Sequence, residues 1–179
     1  MKIFSCDAEV DGLYGPSFAI AATVRVDGVE TARFEGRIAD SAVSDGWVRA
    51  NVLPALAGMP VSHSSSEELE EAFWAFWQAQ KVGATVIAHC GSPVESGLFR
   101  RCVERNLDER AFEGPYPCLH DLGTALLALS EDASSVDAYN KKNGIAVPFA
   151  GVAHHPMYDA TAAAVAWEHA MARLQKTSV

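Results

Sequence analysis

Cationic side chains are scarce in this chain: 14 Lys and Arg stand against 23 Asp and Glu, a formal net charge of −9 over 179 residues. That scarcity disfavours a broad electrostatic grip on long duplex nucleic acid, which relies on many Lys/Arg–phosphate contacts, but not the binding of a small nucleic-acid substrate. Long apolar runs are lacking too, and no stretch approaches the roughly 18 residues of a membrane span. Met1-Lys2-Ile3-Phe4 soon meets Asp7 and Glu9, with no small-residue cleavage site after an apolar core, so no secretory leader is expected. The four cysteines, Cys6, Cys90, Cys102 and Cys118, form no Cys-x-x-Cys pair and no zinc spacing; they read as buried, reduced thiols of a cytoplasmic protein. Repeats, low-complexity tracts and linkers are missing as well. What is present is an apolar fraction of 49%, enough for a sizeable core, in a length that suits one domain spanning residues 1–179.

Three strand-like runs come first. Lys2–Cys6 is apolar, Ser17–Val26 is apolar and β-branched, and Val29–Ile38 mixes apolar with polar residues. Asp27-Gly28 predicts a hairpin turn between the last two. Ser44–Leu56 reads as a short helix ending near Pro54. Ser66–Gln80 is a stronger helix, with serines ahead of Glu67 and Glu68 as a capping box. Its Leu69, Phe73, Phe76 and Trp77 fall at helical spacing and predict a core-facing stripe rather than a base-stacking surface. Val82–Cys90 reads as a buried strand and Val94–Asn106 as a helix. Cys118–Leu129 combines a short strand with a helix, and Ser134–Asn143 is a helix stopped by Asn143-Gly144. Gly144–Val152 is the most loop-like stretch, ahead of an alanine-rich last helix over Met157–Gln175. This order predicts an α/β protein whose mixed sheet joins a three-strand antiparallel meander to parallel strands, flanked by helices. Arg100, Arg101, Arg105 and Arg110 are interleaved with Glu104, Asp108 and Glu109 and, like Lys141 and Lys142, read as solvated helix faces.

Three acidic segments carry the chemistry. Asp7 and Glu9 follow the first apolar run at i and i+2, the spacing that puts two side chains on one face of a strand. Two carboxylates held that close need protons or a cation, and a hard divalent metal is the natural partner. In Ile87–Phe99 the chain leaves a strand, turns at Gly91-Ser92-Pro93 and places Glu95 in a first helical turn. There Glu95 either complements the helix dipole or faces the end of the Asp7 strand, since ligands of open α/β sheets collect beyond strand ends. Gly151–Ala162 holds His154 and His155 in a loop and Asp159 in the first turn of the last helix. Histidine titrates near neutral pH and is the usual general base. Asp121 is a spare acid, expected to cap the helix that follows it.

In this order, and across nearly the whole chain, the segments resemble the DEDDh exonucleases of the DnaQ-like, RNase H-fold superfamily. Asp7 and Glu9 match the family's Asp-x-Glu on the first strand. His154 and Asp159 match its His-x4-Asp, where His-His-Pro-Met-Tyr-Asp-Ala resembles His-x-Ala-x-x-Asp-Ala. Gly46–Pro54 resembles small bacterial exoribonucleases. The middle motif departs: the family has Asp where this chain has Glu95, longer by one C–C bond, roughly 1.5 Å. Glu keeps the charge and can ligate Mg²⁺ or Mn²⁺, yet a misplacement of about 1 Å can cost on the order of 10²-fold in rate.

The resemblance implies an RNase H-like fold and two divalent cations, Mg²⁺ or Mn²⁺. Asp7 would bridge them, Glu9 and Asp159 would hold one, and Glu95 would act behind the ligands or through metal-bound water. His154 would be the general base, with His155 its rival. The implied reaction is 3′→5′ hydrolysis of single-stranded RNA, or of single-stranded DNA and 3′ overhangs, to nucleoside 5′-monophosphates. A homodimer is compatible with a domain this small, and no segment demands one. Two other readings stay open: a catalytically weakened module that binds nucleic acid or protein, and another metal-dependent nucleotide phosphohydrolase.

Overall fold

Strand β1 (Lys2–Val10) pairs antiparallel with β2 (Ser17–Val26) on one side and parallel with β4 (Ala84–Ala88) on the other. With β3 (Val29–Arg37) and the short β5 (His120–Asp121) they form a five-stranded mixed sheet in the order β3-β2-β1-β4-β5. This computed structural model, which describes residues 1–115 and 119–177, has the expected layout: an antiparallel meander joined to parallel strands and flanked by helices, consistent with an RNase H-like fold. Asp27 and Gly28 take positive φ of 48° and 85°, as a two-residue hairpin matched to strand twist requires.

Alternation along β1 sorts its side chains between two cores. Phe4, Cys6 and Ala8 pack with Leu69, Phe73 and Trp77 of α2 (Ser66–Gln80) and with Leu98 and Phe99 of α3 (Val94–Glu104). Ile3, on the other face, packs with Ile87 and with Ala163, Ala166 and Ala170 of α7 (Pro156–Thr177). Leu122 and Leu126 of α5 (Leu122–Ala128) and Tyr139 of α6 (Val136–Asn143) complete that second core. Alanines present little bulk, so α7 lies close on β1 and β2. Asp7 and Glu9 share the face of Ile3, and Asp159 precedes Ala163 by one helical turn. The stripes that bury apolar surface between β1 and α7 therefore also aim the three acids at one another.

Pairing of β1 with β4 covers Lys2–Ser5, whereas pairing with β2 continues to Val10. The sequence predicts a first strand ending at Cys6; the continued β2 ladder carries it through both acids. They project beyond the end of β4, where open α/β sheets bind ligands.

Other boundaries shift for local reasons. The helix expected over Ser44–Leu56 is α1 (Gly46–Asn51) followed by a 3₁₀ turn at Leu53–Leu56. The Asp45 carboxylate accepts the N–H groups of Trp47 and Val48 and fixes the start, and Pro54 breaks the ladder behind it. In α2 the capping box forms with a shift: Ser65 Oγ accepts the N–H of Glu68, and the Glu68 carboxylate returns to Ser64. The α2 stripe faces the core as expected.

Arg100 is solvated as expected, 72% exposed, but the other three arginines are not a solvated face. Arg101 of α3 and Arg105 just past its end reach the carboxylate of Glu70 in α2 at 2.8 and 2.5 Å, and Glu70 is only 1% exposed. Arg110 of α4 (Leu107–Arg110) reaches Glu71 at 2.8 Å. These pairs latch α3 to α2, a contact between distant segments that helical spacing does not reveal. The cysteine expectation also needs correction: Cys6 and Cys102 are buried, but Cys90 is exposed in the turn after β4, with φ 54°. Cys118 lies outside the described residues. Among those described, no helix is long and apolar enough to cross a membrane.

Candidate active site

Asp7, Glu9 and Asp159 each offer a carboxylate oxygen within 4.8 Å of the others. Two come from β1 and one from the first turn of α7, so the cluster depends on the β1–α7 contact. His154 joins it through the backbone: its N–H donates to Asp159 Oδ2 at 2.7 Å. That bond holds His154 at φ 68°, a left-handed conformation unusual for a residue with a Cβ. Its Nδ1 lies 3.9 Å from Glu9 Oε1, and its ring meets the Trp47 indole edge-on, centroids 6.0 Å apart at 89°.

Glu95 lies outside the group of clustered oxygens. It is 4% exposed, and its Oε1 accepts the N–H of Ala8, between the two β1 acids, at 3.1 Å. The extra methylene reaches the backbone of β1. The turn that delivers it is tightly built: a Cβ on Gly91 would come within 2.9 Å of the Ala88 Cβ. The Gly91 N–H donates to Asp121 Oδ2 at 2.9 Å, and Asp121 Oδ1 caps α5 by accepting the Thr124 N–H at 3.0 Å. Asp121 is thus the expected cap and also the anchor of the turn ahead of Glu95.

Burial first, and then repulsion from neighbouring carboxylates (Glu95 foremost on Asp7, Asp159 foremost on Glu9), pushes the carboxyls of Asp7 and Glu9 well above the usual carboxylate range. Asp159 is pushed up to about 7 by burial, against the His154 N–H bond. Glu95 is pushed up to about 7, again by burial, against hydrogen bonds from backbone N–H groups including that of Ala8. Crowded acids with this bias take up protons unless a cation replaces them. A donor set of carboxylate oxygens suits hard cations such as Mg²⁺ or Mn²⁺.

His154 stands between two cavities. One, of about 270 Å³, is lined by Asp7, Asp159, His89, Ser135 and Asp137 among others. The other, of about 340 Å³, is lined by Glu9, Leu13, Trp47, Val48 and Val94 among others. Leu13 and Trp47 are 59% and 60% exposed. Trp47 is placed by the residue that follows β1: the Asp11 carboxylate accepts the N–H groups of Ser44 and Asp45 at 2.9 and 2.7 Å, fixing the start of α1.

His155 takes a different position. Its Nε2 lies 3.8 Å from Glu35 of β3 and its ring 5.2 Å from that of Phe149, while its Nδ1 is buried without a hydrogen-bond partner. Sequence reasoning missed Leu13, His89 and Asp137 as lining residues; no motif marks them. Trp47 falls within the Gly46–Pro54 stretch, and that resemblance was the available signal. No family model matches the chain, and no curated protein matches it.

Proposed function

We propose that the protein is a divalent-cation-dependent 3′→5′ exonuclease of the DEDDh type, acting in the cytoplasm on single-stranded RNA, or on single-stranded DNA and 3′ overhangs. The observation that carries this reading is the convergence of Asp7, Glu9 and Asp159 within 4.8 Å beside His154, from two segments far apart in the chain. Asp7, Glu9 and Asp159 would hold Mg²⁺ or Mn²⁺, with Asp7 shared by the second cation that the resemblance implies. Bound there, such cations would acidify the attacking water and neutralise charge on a phosphodiester.

The chain's own groups do the rest. An imidazole nitrogen of His154 accepts the proton of the attacking water, a role that contributes about 10²–10⁴-fold. Asp159 holds the His154 backbone and so couples the base to the carboxylate cluster. Glu95 holds the backbone between Asp7 and Glu9 and fixes their spacing. The cavity with Leu13 and Trp47 receives the terminal base by stacking and apolar contact. The net charge of −9 favours short single strands over long duplexes. The enzyme works as a monomer or a homodimer.

A time course on 3′- and 5′-labelled single-stranded RNA and DNA, with Mg²⁺, Mn²⁺ or chelator, tests the reading. The expected result is a ladder shortening from the 3′ end, lost with chelator and in Asp7→Ala and His154→Ala. Persistence in both variants would mean that the site is elsewhere. Hydrolysis of mononucleotides without strand shortening would favour a nucleotide phosphohydrolase. The position of Glu95 outside the carboxylate cluster favours one other reading, a binding module with slowed chemistry; it predicts binding of single strands without cleavage.

A further inference from the structure

The cavity beside Trp47 continues past Leu13. The next residue, Tyr14, is 82% exposed and lines another cavity, of about 280 Å³, with Pro93, Ser96, Gly97, Arg100 and Arg101 around the start of α3. Chain neighbours join the two cavities: Leu13 leads to Tyr14 and Val94 to Pro93. None of Asp7, Glu9, His154 and Asp159 lines the outer one.

Its chemistry is distinct from that of the acidic centre. Arg101 is committed, with Nε on Glu70 and Nη2 on Ser17 Oγ, both at 2.8 Å. Arg100 is 72% exposed, and its link to Glu104 spans 3.8 Å. An exposed pair of that length binds weakly, so the guanidinium can turn to a phosphate. Tyr14 offers an aromatic face a few side chains away. Aromatic faces for bases and a cation for the backbone are the parts from which single-strand sites are built. Gly97 leaves the floor between them open; a Cβ there would approach Arg101 Nη1 to 3.3 Å.

We propose that this outer cavity is a second nucleotide subsite, in which Tyr14 stacks on a base and Arg100 holds a backbone phosphate. The inference rests on the exonuclease reading. A strand whose 3′-terminal nucleotide occupies the cavity of Leu13 and Trp47 has chain only on its 5′ side, so the outer subsite takes the nucleotides 5′ of the scissile bond. It makes oligonucleotides better substrates than nucleoside 5′-monophosphate esters that carry no nucleotide 5′ of the scissile bond.

The test compares kcat/KM for a hexanucleotide and for the p-nitrophenyl ester of a nucleoside 5′-monophosphate of the same sugar, which has no nucleotide 5′ of the scissile bond, in the wild type, Tyr14→Ala and Arg100→Ala, with Mn²⁺. The expected result is that the hexanucleotide-to-ester ratio falls about tenfold in Tyr14→Ala, the scale of one lost base–aromatic stack. In Arg100→Ala the salt dependence of hexanucleotide affinity flattens by about 0.7 in log–log slope, as one lost phosphate contact requires. Cleavage with an unmoved ratio and slope in both variants overturns the subsite alone. If the wild type cleaves neither substrate, anisotropy of a labelled hexanucleotide decides: weaker binding in both variants supports the subsite while the exonuclease reading fails, and binding that is absent or unchanged overturns it.

Discussion

His154 is the residue on which backbone and chemistry meet. Its left-handed φ is of a kind that costs an ordinary residue about 1–2 kcal/mol, and the hydrogen bond to Asp159 offsets that cost. Asn tolerates this backbone, so His154→Asn should melt close to the wild type while its turnover falls about 10²–10⁴-fold; a thermal melt beside a mononucleotide-release assay checks both. Glu95 yields a sharper test. Glu95→Asp restores the family residue but shortens the side chain by roughly 1.5 Å and loses Ala8. Turnover should drop about tenfold or more, and a rate equal to the wild type's would show that the Ala8 contact is dispensable. Asp159 sets a pH effect. Its pKa of about 7 in the folded protein exceeds its ordinary 3.8. Between those values the folded protein keeps a proton that the unfolded chain has released, so stability falls as pH rises through that window. In chelator, Asp159→Asn should therefore be more stable than the wild type at pH 8 and close to it near pH 4; equal melting temperatures at both would contradict the assignment.

Among the elements, the contact of α2 with α3 decides where Glu95 sits. Glu70 is buried beneath Arg101 and Arg105. Removing one partner of a buried ion pair strands the others and costs about 3–5 kcal/mol; with both arginines partly exposed, Glu70→Ala should cost about 2–3 kcal/mol. Denaturant unfolding measures that, and turnover should fall with it because α3 carries Glu95. Interleaved charges within α3 and α4 are a pattern that solvated helices also show, so the latch was not legible from them. The stripe of α2 and the hairpin at Asp27-Gly28 were legible, because 3.6-residue periodicity and turn conformation are local properties.

For the whole molecule, the binding of a cation should be a stability event. At a concentration 100 times its dissociation constant, a ligand specific to the folded state adds about 2.7 kcal/mol, or about 5–10 °C for a chain of this size. Mn²⁺ or Mg²⁺ at pH 8 should raise the melting temperature by that order, and Asp7→Ala should abolish the rise. A wild type insensitive to both ions would remove the metal centre from the proposal. What the sequence by itself determined is local: the alternation that puts Asp7 and Glu9 on one face, the first-turn places of Glu95 and Asp159, the turns, and through the order of elements the mixed sheet. Only the tertiary structure decided that Asp159 closes on β1, that Glu95 reaches Ala8 instead of joining the cluster, and that Trp47 borders His154. The physical reason is range. Dihedral preferences and hydrophobic period fix which side of its own element a residue faces, whereas the meeting of two distant elements depends on how alanines, aromatics and buried ion pairs pack across the whole core.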